Sequence, residues 1–418
     1  MSLLLHKQIR ALCAISLLAI APRGPHALPG RVKSPPTARL SSAPARAAIG
    51  MGRLLAADLD VGFRLYARLA RQGPRDNVFL SPFSVASALD LASDGAHGGT
   101  RQAMAATLGL RGMDPDAVDR ANAALRAHLA GLDARVQFAD ANALWVRPGF
   151  PLVPAFVRRA AGAYGATVAP LAFGRPQAAA TINAWAARQT RGQIGHVVTT
   201  TDPATQLYLL NALYFKGTWT VAFDRARTRD GPFTTGDGHT VTLPLMAQTG
   251  DYLYEQGPDF QAVSLPYGSG RASMDIFLPN TRSGLGAFER RLTSRAWATW
   301  MSRFHVEKGA VVLPRFRVAY RASLVPALGA MGMAPAFDGG ADFAGLTPRA
   351  VALNAVDHQA IMEVNEEGTT AAATTGASFE TITTGFSLVV DRPFFCAIRD
   401  NTTGAVLFMG SILRPAAL

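Results

Sequence analysis

The chain of 418 residues contains only two cysteines, and charged residues make up only 17% of it. So few cysteines exclude a small fold stapled by several disulfides, and they exclude an array of zinc ribbons. The eight histidines are scattered and show no H-E-x-x-H spacing, so we expect neither a metal site nor a cofactor. Apolar residues make up 49% of the chain, which excludes a disordered protein and suffices for one large core or two smaller ones.

The first 50 residues contain no acidic residue, although they carry seven basic ones. The remaining 368 residues have 34 basic and 29 acidic side chains, a net charge of +5. No basic run interleaved with aromatics follows, so the overall charge of +12 does not indicate a nucleic-acid partner. We attribute the excess of Arg and Ala to genome composition and expect a bacterial source.

The N-terminus has the pattern of an export signal. Lys7 and Arg10 precede an apolar run that ends in a small-x-small sequence at Ala21. This run is too short to span a bilayer as a mature helix, so we expect a secreted or periplasmic protein without a stable membrane span. The predicted organisation is a signal peptide over 1–21, a disordered leader rich in Pro, Ala, Arg and Ser over 22–50, and one large domain over 51–418. Translation from Met51 is the alternative.

We predict no disulfide between the two cysteines. Cys13 would leave with the signal peptide, and Cys396 would then be alone in the chain. Because Cys396 lies in an apolar run, we expect a small buried thiol there.

Apolar periodicity predicts an α+β fold. Helical spacing indicates helices over 54–70, 84–92, 121–132, 154–164 and 178–190. Segments rich in Val, Leu, Phe and Tyr indicate strands over 137–146, 206–215, 262–265, 273–278, 310–318 and 405–413. Since helices gather in the first half and strands in the second, large antiparallel or mixed sheets are favoured over a doubly wound fold.

Enzyme motifs are missing. The sequence has no G-x-S-x-G elbow, no phosphate-binding loop and no G-x-G-x-x-G opening a helix. Ser81, Ser84, Asp90 and His358 are the residue types of a hydrolase triad, but their local sequence supplies no nucleophile turn and no oxyanion hole. We favour a buried polar cluster and keep a serine hydrolase as an alternative.

The segment 363–378 begins with acidic residues and continues as a run of very small ones. Such a run cannot anchor itself in a core, which predicts an exposed loop. At period two, Thr369, Ala371 and Ala373 share one face, so the same segment has the pattern of a strand that fits between two packed neighbours. Gly368 at its root permits unusual backbone angles. A loop that is also a latent strand indicates a conformational switch.

An ordered series of motifs resembles the inhibitory members of the serpin family of serine protease inhibitors. The motifs are N-V-F-L-S-P-F-S-V-A-S-A-L at 77–89, I-N-A-W at 182–185, N-A-L-Y-F-K-G-T-W at 211–219, L-P-R-F at 313–316, D-R-P-F-F at 391–395 and L-F-M-G at 407–410. The resemblance covers roughly residues 53–414. It implies the serpin fold, with three β-sheets, eight or nine helices and an exposed reactive-centre loop, in a monomer that is an inhibitor and not an enzyme.

The resemblance also implies a mechanism. A target serine protease attacks the loop, forms a covalent acyl-enzyme and is trapped when the cut loop inserts as a new strand. In inhibitory relatives the residue that enters the protease pocket follows the hinge glycine by fourteen positions, which gives the bond Ile382–Thr383. A β-branched aliphatic residue suits the shallow apolar pockets of elastase-like or subtilisin-like proteases. Phe379 and Phe386 are alternative points of attack.

The resemblance implies further roles for residues that match functional positions of the family. The hinge would comprise Glu366, Glu367, Gly368, Thr369, Thr370, Ala371, Ala372 and Ala373. The shutter, which links the central strands of the main sheet, would comprise Ser81, Ser84, Asn211 and His358. Trp219 would lie at the breach, where insertion begins. A non-inhibitory serpin that acts as a carrier or chaperone is the alternative, and the small residues of the hinge favour inhibition.

Overall fold

Fourteen strands and nine α-helices occupy most of residues 43–282, 284–368 and 385–416, which the computed structural model describes. The helices are α1 Ala43–Gln72, α2 Pro82–Asp94, α3 Gly98–Thr107, α4 Pro115–Ala130, α5 Pro154–Tyr164, α6 Gln177–Gln189, α7 Gly284–Arg291, α8 Ser294–Met301 and α9 Val325–Leu328. The strands are β1 Val78–Leu80, β2 Val136–Val146, β3 Thr167–Pro170, β4 Leu207–Gly217, β5 Arg229–Thr234, β6 Thr240–Gln256, β7 Phe260–Tyr267, β8 Ala272–Pro279, β9 His305–Pro314, β10 Phe316–Ser323, β11 Leu353–Val364, β12 Phe386–Val389, β13 Phe394–Asp400 and β14 Val406–Ile412.

Local sequence sets several helix ends. Helix α2 begins at Pro82 after Ser81, whose hydroxyl accepts the backbone N–H of Ser84. Helix α5 begins with a proline and ends before Gly165, which has φ of 55°. The predicted helix 154–164 is therefore confirmed at both ends. Helix α1 extends beyond the predicted 54–70, and it begins at Ala43, within the range predicted as a leader.

The smaller sheet has five strands in the order β10, β11, β4, β2, β3. Strands β11 and β4 are parallel neighbours at its centre, and each has an antiparallel partner on its other side. Helix α6 covers one face of this sheet, where Trp185 packs edge-on against Trp145. The opposite side faces a core that contains Phe215 and Phe408, so the sheet lies between two apolar layers.

The larger sheet has nine strands. It consists of two layers that are joined by one long strand, β6. Strand β6 is 17 residues long. It pairs with β5 and β9 along most of its length and with β7 only from Leu253 to Gln256. One layer is β12, β9, β6, β5 and the other is β1, β14, β13, β8, β7, β6. With β6 counted in both, these layers and the five-stranded sheet give the three sheets that were expected.

The predicted single strand over 310–318 is wrong. The chain ends β9 at Pro314 and begins β10 at Phe316, in the other sheet. The N–H of Arg315 between them donates to the carbonyl of Pro244 and so fixes the change of direction. A continuous apolar pattern hides this corner, because both strands bury alternate residues.

Candidate functional site

A row of polar side chains crosses the three central strands of the five-stranded sheet. In the register of the sheet, Asn211 on β4 lies opposite His358 on β11 and opposite Asn142 on β2. Nδ1 of His358 is 2.8 Å from Oδ1 of Asn211. The amide nitrogen Nδ2 of Asn211 donates to Oδ1 of Asn142 at 2.7 Å. The row therefore links β11, β4 and β2 through side chains as well as through backbone bonds.

Helix α2 continues this row away from the sheet. The backbone N–H of Ser81 donates to Nε2 of His358 at 3.3 Å. Nδ2 of Asn211 also donates to Oγ of Ser84, and that hydroxyl donates to Oδ1 of Asp140. The donors therefore run in one direction, and the series ends on the Asp140 carboxylate.

Burial shifts the pKa values of two groups in this polar row, His358 and Asp140. His358 is fully buried, and burial lowers its pKa to about 3, so the imidazole is neutral at physiological pH. It donates through Nδ1 and accepts through Nε2. Burial raises the pKa of the Asp140 carboxyl, and Nε of Arg126 lies 3.7 Å from its Oδ2. Neutral hydrogen bonds of this kind can change partners without exposing a charge.

The four residues predicted for the shutter, Ser81, Ser84, Asn211 and His358, thus lie in one network. Sequence reasoning missed Asp140 and Asn142, which belong to the same network. Both stand on one face of the strand predicted over 137–146, so polar residues at alternate positions of an otherwise apolar strand were the available signal.

The hydrolase alternative does not fit this geometry. Asp90 accepts a hydrogen bond from Asn122 at 3.0 Å, and Nδ1 of His358 bonds an amide oxygen instead of a carboxylate. Nε2 of His358 takes a backbone N–H, so no serine hydroxyl is activated by it. Ser81, Ser84 and His358 are all fully buried, which denies access to a substrate.

Strands β11 and β4 separate at one end. They pair as far as Ile361 and Tyr214, and each strand continues three residues further. Trp219, two residues after β4, donates its indole N–H to the carbonyl of Asn365 at 2.9 Å, and its ring stacks on Tyr267 with centroids 4.3 Å apart. Trp219 therefore lies where the two strands part, the place predicted for the breach.

A tight turn follows β11 at this point. Asn365 and Gly368 exchange backbone hydrogen bonds of 2.9 and 3.1 Å, and Thr218 bridges Gly368 in the antiparallel sense. Gly368 has φ of +127°, and a Cβ atom there would lie 2.2 Å from the carbonyl oxygen of Gly217. Only glycine fits this close approach of two backbones.

The two glutamates of the turn are held by Thr228 and Arg225, which lie between β4 and β5, and by Arg315, which lies between β9 and β10. Glu366 is 2% exposed; Thr228 donates to its Oε1 at 2.7 Å, and Nε of Arg315 lies 3.6 Å from its Oε2. Glu367 pairs with Nη2 of Arg225 at 2.6 Å. The root of the loop is therefore fixed through side chains to the segment between β4 and β5 and to the corner between β9 and β10.

The other predicted loop residues lie outside the described residues. They are Thr369, Thr370, Ala371, Ala372, Ala373, Phe379, Ile382 and Thr383. The alternative attack point Phe386 is contradicted, because it is buried in β12 and stacks on Tyr254 at 4.0 Å.

Two further expectations concern Cys396 and membranes. Cys396 is fully buried as predicted, and burial raises the pKa of its thiol to about 12. In the described part of the chain, no helix combines the length and the apolar character that crossing a bilayer requires.

The motifs and this geometry agree with the comparison of the sequence with protein families. The sequence model of the family Serpin (serine protease inhibitor) matches residues 56–415. The chain belongs to the serpin family. Serpins are mostly protease inhibitors and not enzymes.

Known serpins resemble it along most of its length. Iripin-2 of Ixodes ricinus is 33% identical over 86% of this chain and 93% of its own. Leukocyte elastase inhibitor A of Mus musculus is 31% identical over 87% of this chain and 100% of its own. The crystal structure of human thyroxine-binding globulin with its ligand has a TM-score of 0.82 at 25% identity, covering 88% of this chain and 100% of that one. The predicted serpin fold is confirmed, while the bacterial source stays a prediction, since the relatives include animal and archaeal proteins.

Proposed function

We propose that this serpin inhibits serine proteases by inserting its cut loop between β11 and β4. The observation that carries the proposal is the antiparallel bridge between Thr218 and Gly368 at the point where these parallel strands separate. A strand that continues from Gly368 between them runs antiparallel to both, so it can form ladder hydrogen bonds on both sides. The segment 369–382 would span about 46 Å as a strand, at about 3.3 Å per residue.

Insertion requires the polar row to open. The hydrogen bond between His358 and Asn211 joins the two strands that must part. Because Asn211 also bonds Asn142 and Ser84, it keeps partners on its own side when the bond to His358 breaks. The row therefore holds the sheet closed at a modest cost of opening, since a neutral buried hydrogen bond contributes about 1 kcal/mol net.

The proposed target is an elastase-like or subtilisin-like serine protease outside the cell. Ile382 carries the choice of pocket, and the similarity to a leukocyte elastase inhibitor agrees with it. The proposed route to that compartment is the N-terminal signal. Cleavage after Ile382 would leave the acyl-enzyme on the inserted end of the loop, far from where it formed.

A protease panel tests this function. Incubation with elastase-, subtilisin-, chymotrypsin- and trypsin-like enzymes should give a complex that survives boiling in detergent for the first two only. The released C-terminal peptide should begin at Thr383 when its mass is measured. A peptide with another start contradicts the register, and a complex with the trypsin-like enzyme alone contradicts the pocket argument.

A carrier function is the second candidate, and the similarity to a thyroxine-binding globulin complex supports it. A carrier would form no covalent complex with any protease of the panel. Proteases that attack its loop would simply give cleaved protein. A carrier would also bind a small apolar ligand in its uncut form, which equilibrium dialysis detects.

A further inference from the structure

Four buried carboxylates meet where helices α1, α2, α4 and α5 pack together. They are Asp58 on α1, Asp90 and Asp94 on α2, and Asp119 on α4. Asp58 and Asp90 are 5% and 2% exposed, and the side chains of Asp94 and Asp119 are 7% and 12% exposed. An ionised carboxylate at such a site loses most of its hydration, so several together need cations or protons.

Cations are too few for these acids. On α5, Arg159 reaches Asp119 at 3.0 Å, the more exposed Asp116 at 3.0 Å and Asp94 only at 3.9 Å. Arg101 on α3 lines a small cavity beside Asp90 and Asp94. Within the described residues, the ion pairs of the four buried acids all involve Arg159, and neither Asp58 nor Asp90 has an ion pair.

Neutral donors satisfy only part of the carboxylate cluster. The hydroxyl of Tyr164 donates to Oδ1 of Asp119 at 2.7 Å, and Asn122 donates to Oδ2 of Asp90 at 3.0 Å. Oδ1 of Asp90 and Oδ2 of Asp94 accept no hydrogen bond from the described residues. A proton on Asp94 would let it donate to Asp119, which lies within hydrogen-bonding reach.

A metal ion does not fit here, because the described part of the chain holds no group of three side chains placed to bind one. The adjacent cavity has a volume of about 60 Å³. This is room for about two waters, through which protons can reach Asp90 and Asp94.

We propose that this carboxylate cluster makes the native fold sensitive to pH, because it holds protons that the unfolded chain releases and the fold therefore loses stability as pH rises towards and through neutrality. The affected elements include α2, whose first turn carries Ser84 of the polar row, so the cluster and the row share one helix of 13 residues. The native protein is then more stable in mildly acidic than in mildly alkaline surroundings.

The sign and the window follow from proton binding. Burial raises the pKa of Asp90 to about 7 and that of Asp94 to about 8, and burial with the nearby Asp90 raises the pKa of Asp58. The same acids release their protons near pH 4 in the unfolded chain. Unfolding therefore releases protons, and this contribution to stability falls as pH rises from about 4 to the native pKa values near 7 and 8, above which it is absent.

The test measures urea-unfolding midpoints of the full chain between about pH 6.5 and 8.0, where the native state still holds protons that the unfolded chain has released. For each proton that only the native state holds, the unfolding equilibrium constant should rise about tenfold per pH unit. The variant Asp90→Asn with Asp94→Asn should lose most of this slope. Asp60→Asn, at a half-exposed position on α1 paired with Arg64, is the matched control and should keep the wild-type slope.

A second measurement protects the test against a variant that fails to fold. Unfolding of the wild-type chain at pH 7 in weak buffer should release about one proton or more, detected by a pH indicator. A midpoint that is constant or rises with pH overturns the proposal, as does a wild-type slope in the double variant or unfolding without proton release.

Discussion

His358 can accept the backbone N–H of Ser81 at Nε2 only as a neutral imidazole, so its protonation state should set the acid limit of the native sheet. Its pKa of about 3 in the fold compares with about 6.5 in an unfolded chain. Between these values the unfolded state binds a proton that the native state does not, so this contribution to stability is lost as pH falls from 6.5 towards 3. Urea midpoints of His358→Gln should therefore fall less steeply in this range than those of the wild type.

Other groups titrate in the same range, so the comparison needs a matched histidine. His305→Gln changes an exposed imidazole on β9. It should keep the wild-type slope, and equal slopes for all three proteins would show that His358 does not carry the effect.

Thr369 and Thr370 differ in the face they would present after insertion. Thr369 would turn inward with Ala371 and Ala373, so an arginine there would lose hydration without a partner at a cost of several kcal/mol. Thr369→Arg should thus slow insertion while cleavage after Ile382 stays normal, and the protein becomes a substrate. The number of inhibitor molecules consumed per protease inactivated measures this change. The side chain at position 370 would point outward after insertion, so Thr370→Arg should keep the ratio near the wild-type value. A wild-type ratio for Thr369→Arg would contradict the hinge assignment.

At the scale of elements, the root of the loop depends on the segment between β4 and β5. Thr228→Val keeps the shape of the side chain but leaves Oε1 of the buried Glu366 without its donor, which costs about 1–3 kcal/mol. The uncut variant should melt at a lower temperature than wild type and lose inhibitory activity faster on storage. Arg225→Ala removes a pair whose arginine is 70% exposed, so it should cost less than about 1 kcal/mol. Equal losses in both variants would contradict the importance of the buried contact.

Prediction from sequence succeeded where a pattern is local. Proline and glycine bound α5, and both ends of that helix were predicted correctly. The break between β9 and β10 was not predicted, because nothing local shows that two consecutive strands belong to different sheets. Two of the three side-chain partners of Asn211, Ser84 and His358, were predicted. The third, Asn142, was not, since the register that places it opposite Asn211 depends on long-range pairing. Asp58, Asp90, Asp94 and Asp119 look like ordinary helix residues in sequence, and only packing brings them together.

At the scale of the molecule, insertion of the cut loop would add a sixth strand to the five-stranded sheet, and the uncut fold lacks the free energy that this strand would contribute. Cutting the loop should let the segment 369–382 pair on both sides, with ten or more new hydrogen bonds at about 1 kcal/mol each. We therefore expect the melting temperature to rise by about 10 °C or more after cleavage. Scanning calorimetry of intact and cut protein measures the difference, and equal melting temperatures favour the carrier function.

The pairing of β11 with β4 also has a consequence for the order of folding. His358 and Asn211 are 147 residues apart in sequence, whereas the turn from Asn365 to Gly368 is local. Loop-closure entropy favours the local hairpin, so an unconstrained chain would add the loop to β11 before β4 arrives. Thr228 lies between β4 and β5 and binds Glu366 at the root of that loop, so the docking of β4 also brings this contact into place. For the proposed inhibitor, we therefore expect β4 to dock on β11 before the loop hairpin becomes stable.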